Sequence, residues 1–250
     1  MDSNLAKYND ASVVALYAGM NELQDCERLL FERHLKPGMA ILDMGVGGGR
    51  TTPYLSKIAG RYVGADYSVA MVEACRTKFK GLEFRHCDAT NMAQFADAEF
   101  DAVVFSFNGI DYIRTDESRA RSLEEIGRVL RAGGIFIFSS HNAKMLLIWP
   151  QLRSARGRQI PWRILLALAK SLKLLTRAIR SSAFYAGMGY IVDSVHGGLA
   201  TYTSTPKTMA PQLEAAGMEI IELVGGHYPE VKAAWLTPWH YYACRKSNAV

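Results

Sequence analysis

The sequence predicts a doubly wound α/β fold, with a mostly parallel sheet and helices on both faces. Three observations point there. Short apolar runs at 40–43, 62–66, 82–87, 100–106 and 134–140 alternate with stretches long enough for helices at 51–58, 69–80 and 117–130. Strand alternating with helix is the pattern of parallel strands joined by crossovers. The first apolar run ends in Asp43 and passes directly into a glycine-rich loop and a helix. Hydrophobic residues make up 49% of the 250 residues, enough for a sizeable core in one large α/β domain.

Taken in order, residues 11–35 read as one helix. Val13, Val14, Leu16 and Tyr17, then Leu23, Cys26, Leu29, Leu30 and Phe31, recur at helical spacing, and Pro37-Gly38 stops it. The strand–helix alternation then runs to about residue 142, with Arg131-Ala132-Gly133-Gly134 as a helix end turning into a strand. Residues 143–190 contain no clear strand and read as a helical insertion. The alternation resumes with a helix over 205–216 and strands over 218–224 and 240–246. The expected organisation is a single domain: an N-terminal helical lid at 1–36, a core at 37–142 and 205–250, and a mostly helical insertion or substrate lid at 143–204.

Composition narrows the class. A net charge of +5 is modest, and no basic run is interleaved with base-stacking aromatics, so a nucleic-acid partner is not expected. Cys26, Cys75, Cys87 and Cys244 form no CxxC pair, which argues against a zinc cluster or disulfide scaffold and fits a reducing cytoplasm. No metal is expected. Residues 1–10 are polar and do not read as a secretory signal. The most apolar stretch, 160–179, is interrupted by Arg163, Lys170, Lys173 and Arg177, which disfavours a spanning helix.

The strongest motif is Asp43-Met44-Gly45-Val46-Gly47-Gly48-Gly49-Arg50. Glycines let the backbone turn tightly and approach a ligand closely. A dinucleotide fingerprint needs glycine at position 50, where Arg50 stands. Asp43 also puts negative charge where a pyrophosphate would lie, whereas it suits an ammonium and a sulfonium. A purely structural strand-to-helix turn is the alternative. Asp66, ending the second strand, suits two ribose hydroxyls. It can instead cap a helix, a role open to Ser68. Asp88, in His86-Cys87-Asp88-Ala89-Thr90, suits an adenine amino group or a cap, and Phe105-Ser106-Phe107-Asn108 ends the fourth strand.

This ordered set resembles the class I S-adenosylmethionine-dependent methyltransferase family, in its small-molecule branch. The likeness covers about 39–142, and 212–246 resembles the end of that fold. It implies a seven-stranded sheet whose last strand is antiparallel. It also implies S-adenosyl-L-methionine as cofactor: Asp43 and the loop through Gly45 and Gly47 at the methionine end, Asp66 on the ribose, and Tyr67 and Met71 beside the adenine. Asp88 and the Ala89 backbone would read the adenine edge, with Ser68 and Cys87 adjoining. Ser106 would complete the floor, and Tyr8 and Tyr17 would form part of a lid.

The expected reaction is methyl transfer to an oxygen or nitrogen of a small molecule, sugar-like or a secondary metabolite. His141, at the end of the fifth strand, is the candidate base for a hydroxyl acceptor, with a structural histidine as the alternative. Asp111, His196 and His227 are weaker candidates. Rival functions are a dinucleotide-dependent oxidoreductase, a non-catalytic cofactor-binding module, and a methyltransferase with a membrane-associated acceptor. The last draws on 161–180, where Arg163, Lys170, Lys173, Arg177 and Arg180 share one helical face and Leu165, Leu168, Leu172, Leu175 and Ile179 another. That segment reads as a lid, a membrane-surface helix or a dimer contact.

Overall fold

The computed structural model describes residues 3–144, 182–192 and 199–248. The segment 161–180 and His196 lie outside the described residues.

Five parallel strands make the first part of the sheet: β1 (Ala40–Met44), β2 (Arg61–Asp66), β3 (Glu83–His86), β4 (Phe100–Phe105) and β5 (Leu130–Asn142). They lie in the order β3-β2-β1-β4-β5. Further strands are β6 (Met188–Val192), β7 (Ala200–Ser204), β8 (Met218–Gly225) and β9 (Trp239–Lys246). β9 pairs antiparallel with β5 from Ile135↔Arg245 to His141↔Trp239, and β8 lies antiparallel outside β9. The seven strands β3-β2-β1-β4-β5-β9-β8, with β9 antiparallel, are the sheet that the resemblance implies.

The antiparallel pair β6–β7 is an addition. β7 joins β5 in parallel only at His141↔Thr203 and Asn142↔Ser204. It takes the β5 edge opposite β9, beyond the point where β4 ends. The segment 143–204, read as mostly helical, therefore carries two strands. Their residues Thr201, Tyr202 and Thr203 are β-branched or aromatic and are buried.

The helices are α1 (Ser3–Tyr8), α2 (Ala11–Ala18), α3 (Asp25–His34), α4 (Thr52–Ile58), α5 (Val69–Lys78), α6 (Asp116–Val129), α7 (Ser182–Ala186) and α8 (Pro206–Ala215). The single helix expected over 11–35 is thus two. Gly19 caps α2, and α3 starts anew where the Gln24 amide donates to Glu27 Oε2 at 3.2 Å. Apolar spacing continues across the break, which is why periodicity alone joined them.

Both faces of the sheet are covered, as parallel strands require. Successive residues enter opposite cores. Leu42, Val103, Phe105, Phe136, Phe138 and Tyr242 pack on one side with Leu123, Ile126 and Val129 of α6. Ile41, Ala102, Val104, Ile135, Ile137 and Tyr241 pack on the other with Leu30 and Phe31 of α3, Leu55 of α4 and Val72 of α5. The carboxyl ends of β1, β2 and β4 remain open to one cleft, where this architecture binds ligands.

Candidate functional site: a cleft at the carboxyl ends of the strands

A cavity of about 420 Å³ lies at these strand ends. Its walls are the β1 end and glycine loop, the β2 and β4 ends, the 88–90 turn after β3, the start of α6, and Tyr8, Tyr17 and Met20 from the N-terminal segment.

The glycine loop is shaped by contacts that side chains would block. Gly45, Gly47 and Gly49 have φ of +63°, +53° and +80°, in the left-handed region. A Cβ on Gly48 would sit 2.3 Å from the Tyr17 carbonyl carbon, so the loop and the end of α2 touch backbone to backbone. The N-terminal segment roofs the loop directly.

Asp43 is buried beneath the loop, with Oδ2 accepting from Thr51 Oγ1 at 2.6 Å and from the Tyr62 hydroxyl at 2.9 Å. Burial pushes its carboxyl up to about 7, against those two hydrogen bonds. Asp66 Oδ2 accepts from the Gly47 amide and Oδ1 from the Ser68 amide, both at 2.9 Å. Burial raises this carboxyl too. A carboxylate offers about four lone-pair sites, so each acid keeps acceptor capacity along the cavity wall. Asp88 Oδ1 accepts from Thr90 N and Oγ1 at 2.8 and 2.9 Å.

Of the expected cofactor residues, Tyr17, Asp43, Gly45, Gly47, Asp66, Tyr67, Met71, Asp88, Ala89 and Ser106 all line this one cavity. Two do not. Ser68 caps α5, accepting from the Met71 amide at 3.2 Å, and its hydroxyl donates to Asn9 Oδ1 at 2.7 Å. Cys87 is buried in the core, its thiol turned toward backbone oxygens of Asp88 and Asn91. Ser68 therefore fixes the helix and the α1–α2 turn, and Cys87 packs.

His141 stands one layer behind the wall. Its ring Nδ1 and its backbone N–H both meet Asp111 Oδ2 at 2.7 Å. Its Nε2 lies 3.1 Å from Asn108 Nδ2. The ring of Tyr112, itself a wall residue, lies edge-on at 6.5 Å. Asp111, weighed in the sequence as a separate base, is the partner that orients His141. His227 packs instead against the Trp239 ring. Phe107 and Asn108 both adopt left-handed φ, +56° and +59°. Non-glycine residues hold such angles at a cost, often at functional sites. Here the turn sets Phe107 over the Arg50 guanidinium at 4.9 Å and aims Asn108 at His141.

Residues that the motif reading missed stand beside Asp43 and the glycine loop. Glu27, fully buried on α3, binds Arg50 through two bonds of 2.6 and 2.8 Å and accepts from Ser106 Oγ at 2.5 Å. Tyr62 holds Asp43. A charged residue on the apolar face of a helix, and a hydroxyl in an apolar strand, were the available signals. Among the described residues no group of His, Cys, Asp and Glu is placed to hold a metal ion.

Residues 42–138 match the family model described as a methyltransferase domain. Over these residues the chain is a methyltransferase domain, similar to those of the S-adenosylmethionine-dependent class. This methyltransferase domain is 36% identical over 137 residues to a probable tRNA methyltransferase 9B from Bos taurus, a match covering 53% of the chain and 27% of that protein. It is 37% identical over 100 residues to a demethylmenaquinone methyltransferase from Clavibacter sepedonicus, covering 39% of each. The matches span about two fifths or less of these relatives' lengths. The fold is also similar to that of a 1,6-didemethyltoxoflavin-N1-methyltransferase from Burkholderia thailandensis solved with its acceptor and S-adenosylhomocysteine. That likeness has a TM-score of 0.57 at 15% identity, over 96% of this chain and 81% of that one.

Proposed function

We propose that the protein transfers a methyl group from S-adenosylmethionine to an oxygen or nitrogen of a small-molecule acceptor. One observation carries this reading: three strand-end acids, Asp43, Asp66 and Asp88, line one cavity roofed by an aromatic cluster. Tyr8 meets Tyr17, Tyr67 and Tyr112 edge-to-face at 6.0, 6.3 and 5.9 Å. The acids match, in chain order, the ammonium, ribose and adenine of the cofactor. Aromatic faces attract a sulfonium by cation–π contact.

When bound, the cofactor supplies an electrophilic methyl group on a positive sulfur. The protein's part is alignment and exclusion of water, which can lower a barrier by about 7 kcal/mol or more in ideal cases. Residues 1–36 act as the lid, through the Tyr17–Gly48 contact. For a hydroxyl acceptor, His141 takes the proton. With Nδ1–H donated to Asp111, Nε2 carries the lone pair, and the Asn108 amide occupies it until an acceptor hydroxyl replaces that contact.

A small, flat acceptor suits the aromatic walls better than a polynucleotide. Among the relatives' names, that of the demethylmenaquinone methyltransferase favours a small-molecule acceptor, whereas that of the tRNA methyltransferase favours RNA. No described helix is long and apolar enough to cross a membrane. The four cysteines are free, in keeping with a reducing, cytoplasmic setting.

The test is transfer of a labelled methyl group into cell extract split into small-molecule, RNA and membrane fractions. Label in the small-molecule fraction is expected. Label confined to RNA or membranes overturns the acceptor class, and none in any fraction with intact cofactor binding favours a non-catalytic module.

A further inference from the structure

We propose that Arg119 is a positioning residue for His141. It balances the buried Asp111 carboxylate, so that the imidazole stays neutral and able to take a proton, and the added β6–β7 hairpin seats it there through the face of Tyr202. This rests on the reading of His141 as the base for a hydroxyl acceptor.

Asp111 is fully buried and His141 nearly so. A carboxylate buried without a cation draws a proton onto the base that it faces. Facing Asp111 alone, His141 would rest as an imidazolium, with a proton already on Nε2 and no place for the acceptor's. A positive charge beside Asp111 removes that pull. Arg119 supplies it from the buried face of α6, which also carries Leu123 and Ile126. Its Nη1 lies 3.7 Å from Asp111 Oδ1, too far for a hydrogen bond, so the coupling is one of charge. The same nitrogen donates to the Ile110 carbonyl at 2.6 Å, which fixes the 109–112 turn that carries Asp111.

Other ionisable groups around the pair do not take this role. Burial pushes the hydroxyls of Tyr190, Tyr202 and Tyr242 up, so these side chains carry no charge. His240, 6.0 Å from Tyr242, is pushed down to about 4 by burial and is neutral as well. Tyr112 meets the imidazole only edge-on. Asp116 acts on Tyr190 and Tyr202 from an exposed position and has the wrong sign.

Two nitrogens of Arg119, Nε and Nη2, have no hydrogen-bond partner among the described residues. What meets the guanidinium is the Tyr202 ring, with its centroid 3.7 Å away. Tyr202 is itself held: its hydroxyl accepts from Gln212 Nε2 at 2.9 Å, and Tyr190 of β6 packs edge-on at 5.2 Å. β7 enters the sheet beside the base, at His141↔Thr203 and Asn142↔Ser204. Ser204 Oγ lies 3.2 Å from Ser140 Oγ, which donates to Asp111 Oδ1. The hairpin thus touches both groups that meet this carboxylate oxygen, Ser140 and Arg119. On stability alone, methionine and asparagine in place of Arg119 and Asp111 would serve as well. Only a charge keeps Nε2 free while Asp111 stays ionised.

The experiment is nitrogen NMR of the histidine rings in the intact protein, in one mildly alkaline buffer. His141 is assigned by the signals lost in His141→Ala. The wild type should show one protonated and one bare ring nitrogen at His141. Arg119→Met should show both protonated. Its transfer of labelled methyl into the small-molecule fraction of cell extract should fall by about 10- to 100-fold, part of what a general base supplies. Arg119→Lys and Tyr202→Phe keep the charge and the ring face, and should keep the neutral imidazole. The double variant Arg119→Met with Asp111→Asn removes both charges and should return His141 to a neutral ring, which a loss of packing would not do. Arg119→Gln is measured alongside, to replace Arg119→Met if that variant does not fold, and melting temperatures report folding. A neutral His141 in the folded variants that lack only the Arg119 charge overturns the inference, as does a doubly protonated ring in the wild type. Full transfer by His141→Ala overturns the reading of His141 as the base, whatever the NMR result.

Discussion

The Asp111 carboxylate grips His141 twice, taking the backbone N–H and the ring Nδ1 on one oxygen at 2.7 Å each. Its other oxygen accepts from Ser140 Oγ at 2.8 Å and faces Arg119 at 3.7 Å. The imidazole is therefore fixed in orientation, with Nε2 turned toward the β4 end. If His141 is the base, His141→Ala lowers turnover of a hydroxyl acceptor by about two to four decades. S-adenosylhomocysteine affinity should stay level. Full activity in the variant would return His141 to a structural role.

Asp43 gives the cofactor site a pH dependence. Its carboxyl is held up at about 7 by burial, so the free protein holds this proton over most of the range below neutrality. Only the carboxylate attracts an ammonium. Cofactor affinity should rise as pH increases through about 7, with uptake of the ligand releasing a proton. The sign for folding is opposite. The native state holds the proton from 3.8 up to about 7 while the unfolded chain has lost it, so this group's contribution to stability falls as pH rises across that window. Calorimetry in buffers of different ionisation enthalpy measures the proton release, and Asp43→Asn should abolish it.

Tyr62 donates to Asp43 and exchanges a 2.8 Å bond with Thr52 Oγ1. Tyr62→Phe removes a donor from the ionised carboxylate. The midpoint of the pH dependence should move upward, and thermal unfolding should show a loss of about 1 kcal/mol. A midpoint that stays fixed would detach Tyr62 from the site.

Asp66 both faces the cavity and tethers the Gly47 amide. Asp66→Ala should weaken cofactor binding by about one to two decades, at roughly 1.4 kcal/mol per decade. The chain should remain folded by circular dichroism. Unchanged affinity would confine the residue to holding the loop.

The roof is open to a steric test. Gly48→Ala puts a methyl group 2.3 Å from the Tyr17 backbone, which must lift α2 off the loop. Release of S-adenosylhomocysteine should quicken in stopped-flow measurements while the core melts near its usual temperature. An unaltered release rate would mean that the N-terminal segment does not close the site.

The acids at the strand ends were legible because the signal is local: an apolar run, an acid, then glycines or a cap. The same locality put Ser68 among the site residues, beside Asp66, where the structure has its hydroxyl capping α5. Arg50 and Glu27 were not legible as a pair, since they are brought together by the packing of α3 against the loop rather than by any motif. Asp111 and His141 are likewise joined across the sheet end, so sequence offered them as rivals. The β6–β7 pair escaped because Thr201 and Thr203 are polar residues buried by pairing with distant partners. The alternation of Thr with Tyr202 was its local trace.

The most direct test is a calorimetric titration of the intact protein with S-adenosylhomocysteine and, separately, with NAD and NADP. One site per chain for S-adenosylhomocysteine, and no heat from either nicotinamide nucleotide, is the expected result. Saturable binding of NAD or NADP without S-adenosylhomocysteine would contradict the assignment of the cleft and every residue role built on it.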